Sequence, residues 1–341
     1  MNLTQLKRNI LTKQISHVNL KNILGGLLTF LPFQKSFLPR LKSLIKEETP
    51  DAWGASSALY CYEVWMKHLT LLFNSGLNQI PNSVAELGPG KSLGVGIAAL
   101  LSGVNQYYAL DVVKYSDPDF NFKILEELIQ LFQNRTGRPT KGWPNYDHYL
   151  DIRLFPSHIL SDEILKKSLN EKRIGEIKKV ISNPNYRSDE IRIEYSVPWQ
   201  ERKRIKKNEI DLIISHAVLE HIIDLDETYF ALYQWLKPNG WMSHQLHFDS
   251  HNQSEKWNGH WGCPEYLWNL VVGKREWTIN RQPYSTHQEL LYKNSFKIKC
   301  EKKRYRDDGL LRSQLAKKWK NLSDDDLTCC DAFFQTVKNV K

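Results

Sequence analysis

Apolar positions fall into two rhythms along the chain. Short, almost continuous apolar runs occur at Ser83–Leu87 (SVAEL), Tyr107–Val113 (YYALDVV), Ile191–Tyr195, Ile210–Ser215 (IDLIIS) and Trp241–Phe248, with two more at Phe296–Glu301 and Asp331–Val337. Runs of this kind are strands buried on both faces, as in a parallel sheet. Longer segments alternate with them and predict helices: Ala58–Phe73, a small-residue stretch Leu93–Ser102, Glu227–Lys237, Pro264–Val272 and His287–Asn294. Gly76 stops the first helix, and Pro238-Asn239-Gly240 is a turn in which Pro presets φ and Asn or Gly accepts φ > 0. The strand–turn–helix–strand unit from Ser83 to Val113 opens a parallel, doubly wound α/β sheet. Residues 114–190 are far longer than the dozen or so that a crossover needs and predict an inserted cap over the site. Residues 250–295, after the fifth strand, predict a substrate-side lid.

Composition narrows the class. The chain has 341 residues, 41% hydrophobic and 25% charged, which excludes wholesale disorder, a collagen-like repeat and a polytopic membrane protein. Five cysteines without a C-x-x-C pair argue against a disulfide framework or zinc knuckle and for a reducing, cytoplasmic setting. The net charge of +9 is concentrated at one end: residues 1–46 hold eight Lys/Arg and no acid, leaving 39 basic against 38 acidic residues elsewhere. A basic total that belongs to one arm argues against nucleic acid as partner. Residues 1–50 are therefore read as a basic helical arm and 51–341 as the main domain. The apolar stretch Ile23–Phe33 is shorter than the roughly 20 residues a membrane span needs. The arm either packs on the main domain or lies on an anionic membrane surface, making the protein peripheral to it.

The segment Ala85-Glu86-Leu87-Gly88-Pro89-Gly90-Lys91-Ser92 fits three patterns: a P-loop, a short-chain dehydrogenase turn, and a Glu-x-Gly-x-Gly turn. Each places a ligand at a helix N-terminus beside the carboxyl end of the first strand. A P-loop beginning at Ala85 would leave Ile80–Val84 as its strand, and Pro81 is a poor central residue there. In the Glu-x-Gly-x-Gly register the strand runs through Leu87 and Glu86 sits at its end, where a carboxylate suits a cationic ligand and repels phosphate. Asp111, 23 residues after Gly88 at the end of the second strand, can accept from both hydroxyls of a ribose. The ligand is thus expected to be a nucleoside.

Later segments carry a resemblance. Asp211-Leu-Ile-Ile-Ser-His-Ala-Val-Leu-Glu-His221 and Leu236-Lys-Pro-Asn-Gly-Trp241, following the glycine turn and Asp111 in this order, resemble the class I S-adenosylmethionine-dependent methyltransferases over about residues 83–250. Gly54–Ser57, Ser243-His244, Trp257–Trp261 and Asn280-Arg281 are similar to an uncharacterised bacterial methyltransferase-domain group. The resemblance implies a Rossmann-like sheet and S-adenosyl-L-methionine as cofactor. It also implies a cofactor site formed by Glu86, Leu87, Gly88, Gly90, Asp111, Val112, Ser215 and His216. Ser92 departs from the superfamily, where a third glycine is usual. Asn183-Pro184-Asn185-Tyr186 is similar to the Asn-Pro-Pro-Tyr motif of amino-group methyltransferases, but that motif follows the fourth strand, and Asn-Pro-Asn is ordinary turn chemistry.

Seven of the eleven histidines lie between residues 216 and 287, on the side where such a fold receives its acceptor. A hydroxyl acceptor benefits from a general base, and histidine titrates near neutral pH. His247, His251 and His260 are the candidate bases and Asp249 the residue that orients them, while Trp257 and Trp261 could stack on a ring. A metal bound by His244, His247, Asp249 and His251 is the competing reading, but His244 and His247 point to opposite faces of a strand, so no metal site is assigned. The expected activity is O-methylation of a small molecule, sugar or glycan precursor. An RNA methyltransferase, a non-catalytic binding module and a P-loop nucleotide enzyme are the alternatives.

Overall fold

The computed structural model describes residues 20–30, 57–114, 116–137, 148–150, 154–183, 186, 188–199, 205–275 and 278–339. Strands β1 (Ser83–Leu87), β2 (Gln106–Leu110), β3 (Arg192–Ser196), β4 (Ile210–His216), β5 (Leu236–His247), β6 (Phe296–Tyr305) and β7 (Cys329–Lys338) form one sheet in the order β3-β2-β1-β4-β5-β7-β6. The first five in that order are parallel, and β7 runs antiparallel between β5 and β6. From β1 the chain winds outward through β2 to β3, then returns to β4 on the other side of β1. That reversal opens a crevice at the carboxyl ends of β1 and β4, where ligands bind in doubly wound sheets.

Helices cover both faces. On one lie α2 (Ala58–Asn74), α3 (Gly94–Leu101), α4 (Pro118–Gln133) and α6 (Glu171–Ser182), around a core that includes Leu69, Ile97, Leu125, Phe132, Ile177 and Leu212. Ser57 and Asp117 cap α2 and α4 by accepting from the amides of Tyr60 and Phe120. α3 is buried along its whole length because its residues are small: a Cβ at Gly96 would lie 2.0 Å from the Tyr107 ring. The opposite face packs α7 (Leu225–Trp235) and α9 (Tyr284–Lys293) over Ile213, Tyr229, Leu232, Leu246, Leu291 and Phe334.

Three differences from the sequence expectation are informative. The described helices of 114–190, α4, α5 (Asp162–Ser168) and α6, are layer elements sharing the main core, so this part of the segment covers a sheet face where a cap over the site was expected. The Pro238-Asn239-Gly240 turn is absorbed into β5 as an irregularity in its pairing with β4, with Asn239 at φ +61°. Of the basic arm, α1 (Leu20–Leu28) packs on α8 (Glu265–Val272): Ile23 joins Cys263, Trp268 and Val271, and a Cβ on Gly26 would meet the Leu270 carbonyl at 1.8 Å. Thr29 accepts from the Lys274 amide at 2.8 Å. Residues 1–19 and 31–50 of the arm lie outside the described residues, as do Gly54–Ser56, Pro184 and Asn185. No helix among the described residues is long and apolar enough to cross a membrane.

Candidate active site

The cofactor side is built at the ends of β1 and β2. Gly88 and Gly90 hold φ of +63° and +70°, backbone that glycine adopts without strain. A side chain at Gly88 would also strike Val218, its Cβ 2.6 Å from Cγ2. Gly88 donates to the Leu110 carbonyl at 2.8 Å, tying the turn to β2. Asp111 is buried and accepts from the Gly90 amide at 3.1 Å and the Val112 amide at 2.7 Å. Burial raises its pKa, partly offset by the amides of Val112, Gly90 and Val113. A side-chain-free turn locked onto a carboxylate at the end of the next strand, with exposed Val112 beside it, is compatible with a nucleoside ligand.

Other expected cofactor residues have different occupations. Glu86 lies beneath the turn, where its Oε2 accepts from the Tyr107 hydroxyl at 2.5 Å, and burial pushes its pKa up to about 8. Burial thus favours its protonated form, whereas the motif places an ionised carboxylate at the strand's end. Leu87 is core, and Ser215 Oγ bonds His244 Nδ1 at 2.7 Å on the far face. His216 is half-buried and faces Lys67 at 3.3 Å. The P-loop pattern is not realised: the Ser92 hydroxyl faces Cys61 at 3.6 Å, and α3 begins only at Gly94.

At the ends of β4 and β5 a cavity of about 410 Å³ opens, lined by Ala217, His247, Asp249, His251, Trp257 and Arg306 among others. Three of its walls use left-handed backbone at non-glycine residues: Ala217 (+57°), His251 (+46°) and Asn252 (+61°). Such strain persists only where surrounding structure enforces it, and it clusters at functional sites. His247 and His251 both face this cavity; His260 does not. His260 is buried beside the Trp261 ring at 4.7 Å, and Trp261 is committed to the Arg281 carbonyl through its Nε1 at 2.9 Å. Of the two tryptophans expected to stack on substrate, Trp257 alone lines the cavity.

The orienting carboxylate of His247 is Asp331, at 2.6 Å from Nδ1, and not Asp249. Asp331 stands directly opposite His247 in the β5–β7 register. Asp249 instead contacts His251, accepting from its amide at 2.9 Å and lying 3.4 Å from its Nε2. Beneath the cavity Lys67 is fully buried and donates to Gln245 Oε1, fixing the amide so that Gln245 Nε2 faces His247 Nε2 at 3.3 Å. An amide NH₂ only donates, so His247 Nε2 carries the lone pair and Nδ1–H points at Asp331. Burial holds the imidazole well below its usual pKa and the Asp331 carboxyl well above its own. The result is a neutral imidazole, fixed in orientation between Asp331 and Gln245 at the cavity wall.

A family model described as a methyltransferase domain matches residues 97–286, more than half of the chain. The chain belongs to this methyltransferase family. Its members are S-adenosylmethionine-dependent enzymes, and the turn at Gly88–Gly90 with Asp111 fits that cofactor. Among solved structures, the methyltransferase is similar to an S-adenosylmethionine dependent methyltransferase from Mesorhizobium loti, at 11% identity, TM-score 0.38, over 78% of this chain and 96% of that one. It is similar to a Methanosarcina mazei SAM-dependent methyltransferase at 10% identity and TM-score 0.40, over 80% and 98%. It is also similar to Haemonchus contortus phosphoethanolamine N-methyltransferase 2 in complex with S-adenosyl-L-methionine, at 13% identity and TM-score 0.39, over 83% and 57%. A comparison with curated proteins gives no match.

Lys67, Asp331 and Glu220 escaped the sequence reading as site residues. Lys67 had a signal, the one lysine inside the largely apolar ALYCYEVWMKHLTLLF helix. Asp331 had none, because its pairing depends on the antiparallel register of β7.

Proposed function

We propose that the methyltransferase transfers the methyl group of S-adenosylmethionine to a hydroxyl of a small molecule, sugar or glycan precursor, with His247 as proton acceptor. The observation that carries this reading is the His247–Asp331 pair at the wall of the 410 Å³ cavity. The methyl group is already activated on its sulfonium, so the protein's work is to hold the acceptor oxygen in line and to remove its proton. The oxygen forms its bond to the methyl carbon as the sulfur–carbon bond breaks. The proton passes to His247 Nε2 as the Gln245 amide gives up its contact with that nitrogen, and Asp331 accepts from Nδ1–H of the resulting imidazolium. A cavity of this volume suits a monosaccharide-sized acceptor, and Trp257 supplies an apolar wall for a ring face.

The test is turnover, read as S-adenosylhomocysteine formed with a panel of hydroxylated acceptors. His247→Ala should lower it about 10²-fold or more while cofactor affinity stays near wild type. Asp331→Asn, which leaves the volume intact, should lower it in the same direction. Turnover within a few-fold of wild type in both variants would remove the base from the mechanism.

We also infer that residues 1–46 rest on an anionic membrane surface. Leu24, Leu27 and Leu28 are exposed on α1, and the arm's eight basic residues supply the attraction to acidic headgroups.

A further inference from the structure

The 3-10 turn after β4, Leu219–His221, and the left-handed turn after β5 bring three side chains together that the sequence reading kept apart. One donor atom from each of Glu220, His221 and His251 lies within 4.8 Å of the other two. The His221 and His251 rings meet edge to face at 4.9 Å. Glu220 is 3% exposed; its Oε1 accepts from the His247 amide at 3.2 Å, while Oε2 is buried with no hydrogen-bond partner. Leaving a buried acceptor unsatisfied costs about 1–3 kcal/mol, and more for a charged group. A bound cation would satisfy it.

The turn that carries Glu220 and His221 is clamped. The Asn280 amide donates to the Glu220 carbonyl at 2.7 Å, and its side chain donates to the carbonyls of Leu219 and Ile222, both at 2.8 Å. On the other side, Asp249 accepts from the His251 backbone amide, and its Oδ1 lies 3.4 Å from the ring Nε2.

We propose that Glu220, His221 and His251 form a site for one divalent transition-metal ion at the edge of the acceptor cavity. Two imidazoles and one carboxylate select Mn²⁺, Fe²⁺, Co²⁺ or Zn²⁺ over Mg²⁺ and Ca²⁺, which prefer all-oxygen shells. Three protein ligands leave coordination positions open, the arrangement of a catalytic site. His251 also lines the cavity, so an open position is available to the acceptor oxygen. The role of that position rests on the proposed O-methylation; the site itself does not. An acceptor hydroxyl held there is acidified by the ion and gives its proton to His247. Its oxygen forms the bond to the methyl carbon, and the sulfur keeps the electron pair as S-adenosylhomocysteine leaves. The run His244, His247, Asp249 and His251 does not form the site, because His244 turns to Ser215 and His247 to Asp331.

Metal binding is measured on the full chain after chelator treatment, with Mn²⁺ followed by paramagnetic resonance and Co²⁺ by its visible absorption. Wild type should bind one equivalent, with Co²⁺ bands that report nitrogen ligands. Glu220→Gln and His221→Ala should weaken binding at least about tenfold. Each variant is also heated with and without S-adenosylhomocysteine, and a retained thermal shift shows a folded cofactor side. Wild type that keeps the thermal shift but binds neither ion saturably overturns the metal site and leaves the methyltransferase reading standing. Folded variants that bind as wild type does would also overturn it.

Discussion

Glu86→Gln isolates what burial does to one carboxyl beneath the cofactor turn. Glu86 sits on β1 with 5% of its surface exposed, and the Tyr107 hydroxyl donates to it at 2.5 Å. Removal from water raises its pKa from 4.5 to about 8, and the neighbouring Asp111 charge adds to the rise. In the unfolded chain the group titrates near its ordinary value. A carboxyl whose pKa is raised by folding contributes stability that is fully present below about pH 4.5. That stability is lost as pH climbs through about 8. The slope cannot exceed about 1.4 kcal/mol per pH unit across this window, giving a ceiling of about 5 kcal/mol in all. Glutamine keeps an acceptor for Tyr107 and cannot ionise. Urea unfolding at intervals from pH 5 to pH 8.5 should therefore show the wild type losing stability relative to the variant by several kcal/mol. Glu220, also pushed up to about 8 by burial, contributes equally to both proteins and drops out of the difference. Parallel curves across the whole window would refute the buried neutral acid and return Glu86 to a solvated position facing the ligand.

Two further outcomes test the outer parts of the account. Arg281 is 4% exposed, donates to the carbonyls of His260 and Cys263 at 3.1 and 2.9 Å and to Glu265 at 2.7 Å, and lies over the rings of Trp268 and Trp319. Arg281→Ala should destabilise by about 3–5 kcal/mol in denaturant unfolding, and a loss below 1 kcal/mol would show that this residue does not hold residues 250–295 in place. Leu27→Glu, on the exposed side of α1, should reduce flotation with phosphatidylserine vesicles and leave neutral-vesicle behaviour unchanged; equal flotation of both proteins would leave α1 with its packing role alone.

The strands were legible in the sequence because a strand buried on both faces must be apolar almost throughout. Ser83–Leu87 is recovered at both ends, and Ile210–Ser215 within one residue. The glycine turn was legible because glycine adopts φ of +63° and +70° without strain, and a Cβ at Gly88 would strike Val218. Orientation at the acceptor side was not. Asp249 was expected to orient His247, but the strand ends at His247, and Asp249 beyond it accepts from the His251 amide. The partner of His247 then comes from β7, more than 80 residues away, through a register that no local pattern encodes. Glu220 and His221 were visible as part of a motif, but their meeting with His251 depends on two separate turns closing over one point.

Cofactor binding tests the central claim most directly. Titration of the full chain with S-adenosylhomocysteine in a calorimeter should give saturable binding at one equivalent. It should also raise the melting temperature by several degrees, since ligand at 100 times its dissociation constant adds about 2.7 kcal/mol. Asp111→Ala, which removes the carboxylate holding the Gly90 amide, should abolish most of that shift. A wild-type protein that binds neither S-adenosylmethionine nor S-adenosylhomocysteine, or an Asp111→Ala variant with the full shift, would contradict the account.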